Sequence, residues 1–241
     1  MIKKLITTTL IITLLFTCLF AQVKSDSKNK KETTMERPAL SINPILEADG
    51  SYSPSEQALA LATSDYTDYE NIAYDKYKGD KTKILVIFTE HKNMIMQNGK
   101  MFSTGNHPVK ALLPMLHLRN AGFDFEIATP TGMPVAFEMW AMPKKDENVT
   151  EIYNTYKAQF EKPKSLQKFV DNSLNTLPTY GAVFIPGGHG AMIGIPQNQN
   201  VGKVLQSAHE NNIFTITLCH GPGSLLATAL DGSEFLYKGY K

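Results

Sequence analysis

A cysteine follows an apolar run near the end of the sequence, in the segment Leu218-Cys-His-Gly-Pro-Gly223. The run before it predicts a buried strand, and Ser224 to Leu230 predicts a helix. A sharp turn between strand and helix lifts a side chain out of the sheet, and the free N–H groups that begin a helix favour a thiolate. Cys219 is therefore predicted to be a nucleophile with His220 as its catalytic neighbour. The alternative is a small buried cysteine at a strand end.

A glycine-rich loop, Pro186-Gly-Gly-His-Gly190, follows the apolar run from Ala182 to Ile185. Gly187 and Gly188 allow backbone N–H groups to approach a reacting oxygen closely, as an oxyanion hole requires. The alternative is a tight turn with a solvated His189. In a parallel sheet this loop and the cysteine loop open at the same carboxyl edge, where ligands bind. Together the loops predict one pocket, lined by Gly187, Gly188, His189 and Gly221.

The elements that position these loops alternate between strand and helix. Continuous apolar runs predict buried strands at 83–88, 123–128, 182–185 and 214–218. Apolar positions at helical spacing predict a first helix at 108–122, with Pro108 in its first turn and Gly122 at its C-cap. Further helices are predicted at about 149–160, about 164–174, 201–211 and 224–230. This alternation predicts an α/β fold with a mostly parallel sheet covered on both faces.

The composition of the 241 residues is that of a globular protein, with 42% hydrophobic and 20% charged residues. There are 24 Lys and Arg against 23 Asp and Glu, so the net charge of +1 leaves no basic excess for nucleic acid. We therefore expect no nucleic-acid partner. The 2 cysteines cannot form a disulfide framework, and no Cys/His spacing matches a structural zinc site.

The first 21 residues have the pattern of a secretory signal, since Lys3 and Lys4 precede an apolar run that ends at Ala21. The predicted organisation is a signal peptide at 1–21, a polar tether and N-terminal extension at 22–80, and an α/β domain at 81–241. We expect an exported protein, periplasmic or secreted. The alternatives are an uncleaved membrane anchor, or a lipid anchor on Cys18, although the residues before it are poor for a lipobox.

Four separated motifs occur in order along the chain: FSTGNHPVKALLPMLHL, FEMWAMPKKDE, FIPGGHGAMIGIP and LCHGPGSLL. Together they resemble the HchA-like branch of the PfpI/DJ superfamily, over roughly residues 45 to 241. The resemblance implies a flavodoxin-like three-layer sandwich, usually a homodimer, that uses no dissociable organic cofactor. It also implies the activities described for that branch: a glutathione-independent glyoxalase (glyoxalase III, a D-lactate dehydratase) acting on 2-oxoaldehydes such as methylglyoxal, a protein deglycase, and a stress-response chaperone for unfolded protein.

The resemblance carries over to individual residues incompletely. Cys219 matches the family nucleophile and His220 the histidine after it. The family's acidic partner of the cysteine falls on Lys110, whose ammonium can hold a thiolate by charge but cannot readily act as the same acid or base. The family's metal ligands, two histidines and a glutamate, fall on Arg119, Asp124 and Tyr156, so we predict no metal there.

Other residues are predicted to be structural or solvated. Trp140 is expected to pack against other side chains or to line a pocket wall. A structural or solvated role, not a catalytic one, is expected for the histidines His91, His107, His117 and His209. Relatives continue past the segment aligned with 237–241 into further strand and helix, including an aspartate that orients the histidine after the cysteine. We therefore expect the α/β domain to be incomplete at its C-terminal side, with one side of the sheet uncovered.

Two functions from different classes follow. The first is an exported glyoxalase or deglycase that works through Cys219 and is impaired by Lys110 and the absent aspartate. The second is a non-catalytic chaperone-like or thiol-sensing protein that keeps the fold and the reactive cysteine. A third, amidotransferase or peptidase chemistry, rests on fold analogy with the wider superfamily alone.

Overall fold

The structure, a computed structural model, describes residues 39 to 240. The predicted signal peptide, the possible lipid attachment site Cys18 and the first part of the tether lie outside the described residues. Among the residues that are described, no helix combines the length and the apolar character needed to cross a membrane.

The strands of the described residues, in chain order, are β1 (Ile45–Leu46), β2 (Tyr52–Ser53), β3 (Lys83–Ile87), β4 (Asn93–Ile95), β5 (Met101–Ser103), β6 (Asp124–Thr129), β7 (Lys164–Ser165), β8 (Ala182–Ile185) and β9 (Phe214–Thr217). The α-helices are α1 (Glu56–Ala62), α2 (Pro108–Asn120), α3 (Glu147–Glu161), α4 (Leu166–Ser173) and α5 (Gln199–Glu210). Short 3₁₀ helices span Met139–Ala141, Leu174–Thr179, His189–Met192 and Gly221–Ala229.

Five strands form an all-parallel sheet in the order β7-β6-β3-β8-β9, which confirms the predicted α/β, flavodoxin-like class. The central strand β3 shows why the run from Ile84 to Ile87 is continuously apolar. Leu85 and Ile87 pack into a core on one face, with α4 and α5, whereas Ile84 and Val86 pack into a second core on the other face, with α2 and α3. Because helices cover both faces of the sheet, the fold has three layers: helices, sheet and helices.

A second, smaller sheet was not predicted from the sequence. It has the order β1-β2-β5-β4, and its β4 and β5 form an antiparallel hairpin between β3 and α2. Its strands have only two or three residues each, too few to show an alternating pattern, which is why sequence periodicity missed them. The N-terminal extension thus contributes two strands and α1 to the folded part of the chain.

Two predicted helices are corrected. The segment expected to be helical from about 164 begins as β7, and α4 starts at Leu166 because Ser165 caps it, its hydroxyl accepting from the N–H of Lys168 at 3.3 Å. The segment after Cys219 is a 3₁₀ helix that begins at Gly221, not an α-helix from Ser224. Gly221, Pro222 and Gly223 are poor α-helix formers, and the first N–H groups bond three residues back.

The strand that leads to Cys219, β9, lies at the edge of the parallel sheet and pairs with β8 in the described part of the chain. Its first residue, Phe214, is 77% exposed, and none of its four residues is fully buried. The loops after β8 and β9, together with the start of α2, meet at the carboxyl edge of the sheet.

Candidate active site

Cys219 occupies a strained backbone conformation. Its φ is +59°, in the left-handed region that residues with a side chain rarely adopt. It lies two residues after the end of β9 and two residues before the 3₁₀ helix, and its side chain is exposed. The turn therefore presents the side chain of Cys219 to solvent at the sheet edge.

The sulfur of Cys219 contacts two nitrogen atoms. The Nζ atom of Lys110 lies 3.1 Å from Sγ, and Nδ1 of His220 lies 3.3 Å from it. Lys110 belongs to the first turn of α2, which starts with Pro108 at a position where the missing N–H costs nothing. An ammonium at this distance can stabilise negative charge at the sulfur or on a group bonded to it. Lys110 thus places a positive charge beside the sulfur. The sequence had suggested a second source of positive charge, the N-terminus of an α-helix after Cys219, but that segment is a 3₁₀ helix.

Gly187 and Gly188 are required by close approaches of the backbone. A Cβ atom on Gly187 would lie 2.4 Å from Cβ of Cys219 and 2.6 Å from the carbonyl oxygen of Leu218. Gly188 has φ +127°, and a Cβ there would lie 2.4 Å from the backbone N of His107. The glycines therefore let the β8 loop touch both the cysteine turn and the start of α2.

The hydrogen bonds of the glycine loop indicate which of its backbone N–H groups could bind an oxyanion. The N–H of His189 donates to Oε1 of Glu138 at 3.0 Å, and the N–H of Gly190 donates to the carbonyl of Gly105 at 3.0 Å. These two amides are therefore not available to a reacting oxygen. The N–H groups of Gly187 and Gly188 donate no such bond within residues 39–240, which leaves these two amides of the loop as candidates to bind an oxyanion.

Glu138 was not singled out from the sequence, although this residue lies in FEMWAMPKKDE, one of the four motifs on which the family resemblance rests. Its side chain is fully buried, and its Oε1 accepts from the hydroxyl of Thr104 at 3.0 Å and lies 2.9 Å from Nδ1 of His189. The available signal was a single acidic residue inside an otherwise apolar stretch, FEMWAM. A buried charge needs partners, so such a residue is either paired or functional.

Two histidines of the site, His107 and His220, have lowered pKa values, chiefly because they are partly buried. Burial, followed by the positive charges of His189 and Lys110, holds the pKa of His220 below its ordinary value, and Glu138 partly opposes this. Burial also lowers the pKa of His107, the residue before α2, with Lys110 and His189 acting in the same direction. Imidazole rings that stay neutral near neutral pH can accept protons.

The other singled-out residues lie outside this contact set. Trp140 donates its ring N–H to the carbonyl of Ser103 at 3.0 Å and packs near Phe102, which fits the predicted packing role. His117 lies 2.9 Å from the hydroxyl of Tyr74. His91 and His209 are exposed. The backbone N–H of His107 donates to the carbonyl of Gly187 at 2.8 Å and ties α2 to the glycine loop, which is a structural role.

The three positions that match the family's metal ligands do not fit a metal. The hydroxyl of Tyr156 donates to Oδ1 of Asp124 at 2.6 Å, and Arg119 pairs with Glu151 at 3.2 Å. Burial and the Asp124 carboxylate raise the pKa of Tyr156 far above its ordinary range, so the phenol keeps its proton. A protonated phenol and a guanidinium are not metal ligands.

Comparison with known proteins defines the class. Residues 103–234, more than half of the chain, match the model of the DJ-1/PfpI family, and the chain belongs to that family. The fold agrees with glyoxalase III from Candida albicans, with a TM-score of 0.52 at 22% identity over 66% of each chain. It also agrees with the Rapid Encystment Protein of Francisella tularensis, with a TM-score of 0.51 at 19% identity over 60% of this chain and 61% of that one.

Within the family, the expected HchA-like branch is confirmed. The chain is 48% identical over 179 residues to the protein/nucleic acid deglycase HchA of Escherichia coli O157:H7, covering 74% of this chain and 63% of that protein. It is 44% identical over 193 residues to the deglycase HchA of Staphylococcus aureus (strain bovine RF122), covering 80% of this chain and 66% of that protein. The chain therefore spans a little under two thirds of the length of these relatives.

Proposed function

We propose that this chain is a glutathione-independent glyoxalase or deglycase of weakened activity, in which Cys219 adds to 2-oxoaldehydes such as methylglyoxal. The observation that carries the proposal is the setting of the sulfur, exposed on a strained turn with Nζ of Lys110 at 3.1 Å and Nδ1 of His220 at 3.3 Å. Identity of 43–48% to curated HchA deglycases supports carbonyl adducts as the substrate class.

The first step is addition. The sulfur of Cys219 bonds to the aldehyde carbon, and the carbonyl π electrons move to the oxygen. The N–H of Gly188 and the ammonium of Lys110 can stabilise that oxygen, which becomes the hydroxyl of a hemithioacetal after it takes a proton. This step needs a nucleophile and a positive environment, and the site has both.

The second step is isomerisation. The aldehyde carbon loses its hydrogen as a proton and the neighbouring carbon gains one, which converts the hemithioacetal into the thioester of a 2-hydroxy acid. Water then breaks the C–S bond, so the net reaction adds one water to the 2-oxoaldehyde. An ammonium at position 110 cannot accept a proton as a carboxylate can. Isomerisation, rather than addition, is therefore the step that Lys110 slows.

The test uses the full chain with methylglyoxal. We expect an intact-mass adduct of one methylglyoxal on Cys219 and slow formation of D-lactate, both of which disappear in Cys219→Ala. Lys203→Gln, an exposed substitution on α5 away from the site, is the control and should behave as the unchanged protein. D-lactate formation at the same rate in Cys219→Ala would contradict the proposal.

A second candidate, a non-catalytic chaperone-like or thiol-sensing protein, is favoured by one observation. Cys219 is exposed, and its neighbour at 3.1 Å is a lysine that lacks the family's acid function. An exposed thiolate is readily oxidised. Adduct formation without any D-lactate, including in Lys110→Glu, would select this candidate.

We also propose that the protein is exported and forms a homodimer. Export rests on the sequence of residues 1–21, and dimerisation rests on the resemblance to the family. The intact mass of protein recovered from its native cells tests export, because cleavage after Ala21 leaves Gln22 as the first residue. Light scattering of the purified protein tests dimerisation. An uncleaved N-terminus, or a monomer at working concentrations, would contradict the respective proposal.

A further inference from the structure

Glu138 is a carboxylate buried beside the site with its donors concentrated on one oxygen. Its Oε1 lies within 3.0 Å of three donors, namely the Thr104 hydroxyl, the His189 N–H and Nδ1 of His189. Its Oε2 is buried and has no hydrogen-bond partner in the described part of the chain. Burying a carboxylate is costly, and three donors on one oxygen offset much of that cost while fixing the carboxylate in place.

The contact between Glu138 and His189 decides which ring nitrogen carries the hydrogen. An ionised carboxylate can only accept hydrogen bonds, so Nδ1 of His189 is the donor at 2.9 Å. In the neutral ring Nε2 is then left as the acceptor, on the side of the ring away from Glu138. The side chain of His189 is 47% exposed, so a ligand can reach the ring.

His189 lies next to the nucleophile's partner. The ring centroids of His189 and His220 are 5.0 Å apart, and His220 contacts the sulfur of Cys219. The His189 ring also packs against Phe102, with centroids 5.6 Å apart and the rings nearly perpendicular. Glu138, His189 and His220 thus form a continuous series that leads from a buried anion to the sulfur.

The geometry points to Glu138 and His189 as the proton-transferring pair of this site, with Glu138 as the positioning residue and His189 as the acid and base. The inference rests on the proposed function and assigns its isomerisation step. Nε2 of His189 accepts the proton from the aldehyde carbon, whose C–H electrons form a C–C double bond while the neighbouring carbonyl electrons move to oxygen. The same nitrogen returns the proton to the neighbouring carbon, while the hydroxyl proton on the former aldehyde oxygen moves to the neighbouring oxygen. The C–C double-bond electrons form the new C–H bond and the O–H electrons form the thioester carbonyl, so charge and electrons are conserved.

Glu138 matters because the intermediate state carries a positive ring. When His189 holds the transferred proton, its charge lies 2.9 Å from Oε1 of Glu138, whose side chain is fully buried, and attraction over this distance stabilises the charge. The other titratable groups of the site are His107 and Lys110 at the start of α2, and Cys219 and His220 after β9. In the adduct the sulfur of Cys219 is bonded to carbon and uncharged, so Glu138 is the one acidic group left among these site residues, and it offsets their positive charge.

Two variants test the pair by different routes. Glu138→Gln keeps the shape and removes the charge, and we expect D-lactate formation from methylglyoxal to fall about 10²-fold through kcat, within the range for one acid or base. Alkylation of Cys219 and its adduct with methylglyoxal should persist, because addition does not use the pair. His189→Ala should show the same loss and be partly rescued by added imidazole, which a purely structural role would not allow.

A third readout does not depend on turnover. Long-range ¹H–¹⁵N NMR of the unliganded protein should find the hydrogen of His189 on Nδ1, and Glu138→Gln should change that signature. Hydrogen on Nε2 in the unchanged protein would overturn the inference. Turnover within twofold of the unchanged protein in both variants would also overturn it and leave the proposed function standing. Absence of both adduct and D-lactate in the unchanged protein and in Lys110→Glu would overturn the proposed function and this inference together.

Discussion

The ammonium of Lys110 lies 3.1 Å from the sulfur of Cys219, at a position where the resemblance to the family implies a carboxyl group. On that comparison, the charge of the group nearest to the sulfur is reversed. A carboxyl can exchange a proton with the sulfur and with its adduct, whereas an ammonium stabilises negative charge and does not accept a proton. The substitution separates two properties that one residue combines in the family: activation of sulfur and proton transfer.

Restoring the carboxyl should restore turnover. We expect Lys110→Glu to raise the rate of D-lactate formation from methylglyoxal on the order of 10²-fold, the lower part of the range for a positioned acid or base. Steady-state kinetics with the full chain measures this. Lys110→Gln, which removes the charge and adds no acid, should not show the gain, and Lys203→Glu controls for added negative charge elsewhere. Equal rates in Lys110→Glu and Lys110→Gln would contradict the explanation.

Removing the ammonium should make the sulfur less reactive. In Lys110→Met the long apolar chain remains and the charge that favours the thiolate is lost. We expect slower alkylation of Cys219 by iodoacetamide at neutral pH, followed by mass spectrometry. Lys168→Met, on the exposed surface of α4, serves as the matched substitution and should alkylate at the original rate. An unchanged rate in Lys110→Met would show that the contact does not control the sulfur.

Gly187→Ala should displace the cysteine turn. The new Cβ would lie 2.4 Å from Cβ of Cys219 and 2.6 Å from the carbonyl of Leu218, and backbone cannot give way as a flexible side chain can. We expect a loss of stability of about 1–3 kcal/mol, typical of overpacking, together with loss of the methylglyoxal adduct. Chemical denaturation and intact mass measure the two effects. Gly99→Asn, in an open turn at φ +76°, should change neither, because asparagine tolerates that conformation.

Acid should destabilise the fold in part through His107. Burial, reinforced by Lys110 and His189 and opposed by Glu138, lowers the pKa of His107 in the folded protein below its ordinary value of 6.5. The unfolded chain therefore binds the proton at a higher pH, so this contribution to stability is present above about pH 6.5 and is lost as the pH falls toward the folded pKa. Thermal unfolding at about pH 7.5 and about pH 5.5 brackets the effect.

The matched variants isolate that contribution. His107→Asn keeps a residue suited to the position before a helix and removes the titration, so its melting temperature should fall less between the two pH values than that of the unchanged protein. His209→Asn, on the exposed surface of α5, should retain the full decrease. Equal pH dependence in His107→Asn and the unchanged protein would show that His107 does not titrate as described.

The sequence predicted the parallel sheet well because its strands are continuous apolar runs with two buried faces, as β3 shows through Ile84 and Leu85. It predicted the cysteine turn because glycines flank it at close approaches. The 3₁₀ helix after Cys219 was missed, since apolar spacing does not distinguish it from a short α-helix. The part played by Glu138 could not be predicted, because it depends on contacts with Thr104 and His189, which are distant in the sequence.

The contact between Lys110 and Cys219 joins residues 109 positions apart in the chain. Closing so long a segment costs conformational entropy, and only the contacts of the assembled sheet offset that cost. Such contacts therefore form late in folding. During refolding, the sulfur should acquire its neighbours only when β3, β8 and β9 are all in register. The rate at which Cys219 is alkylated should therefore report the last stage of folding, and a pulse of alkylating reagent during refolding would measure it.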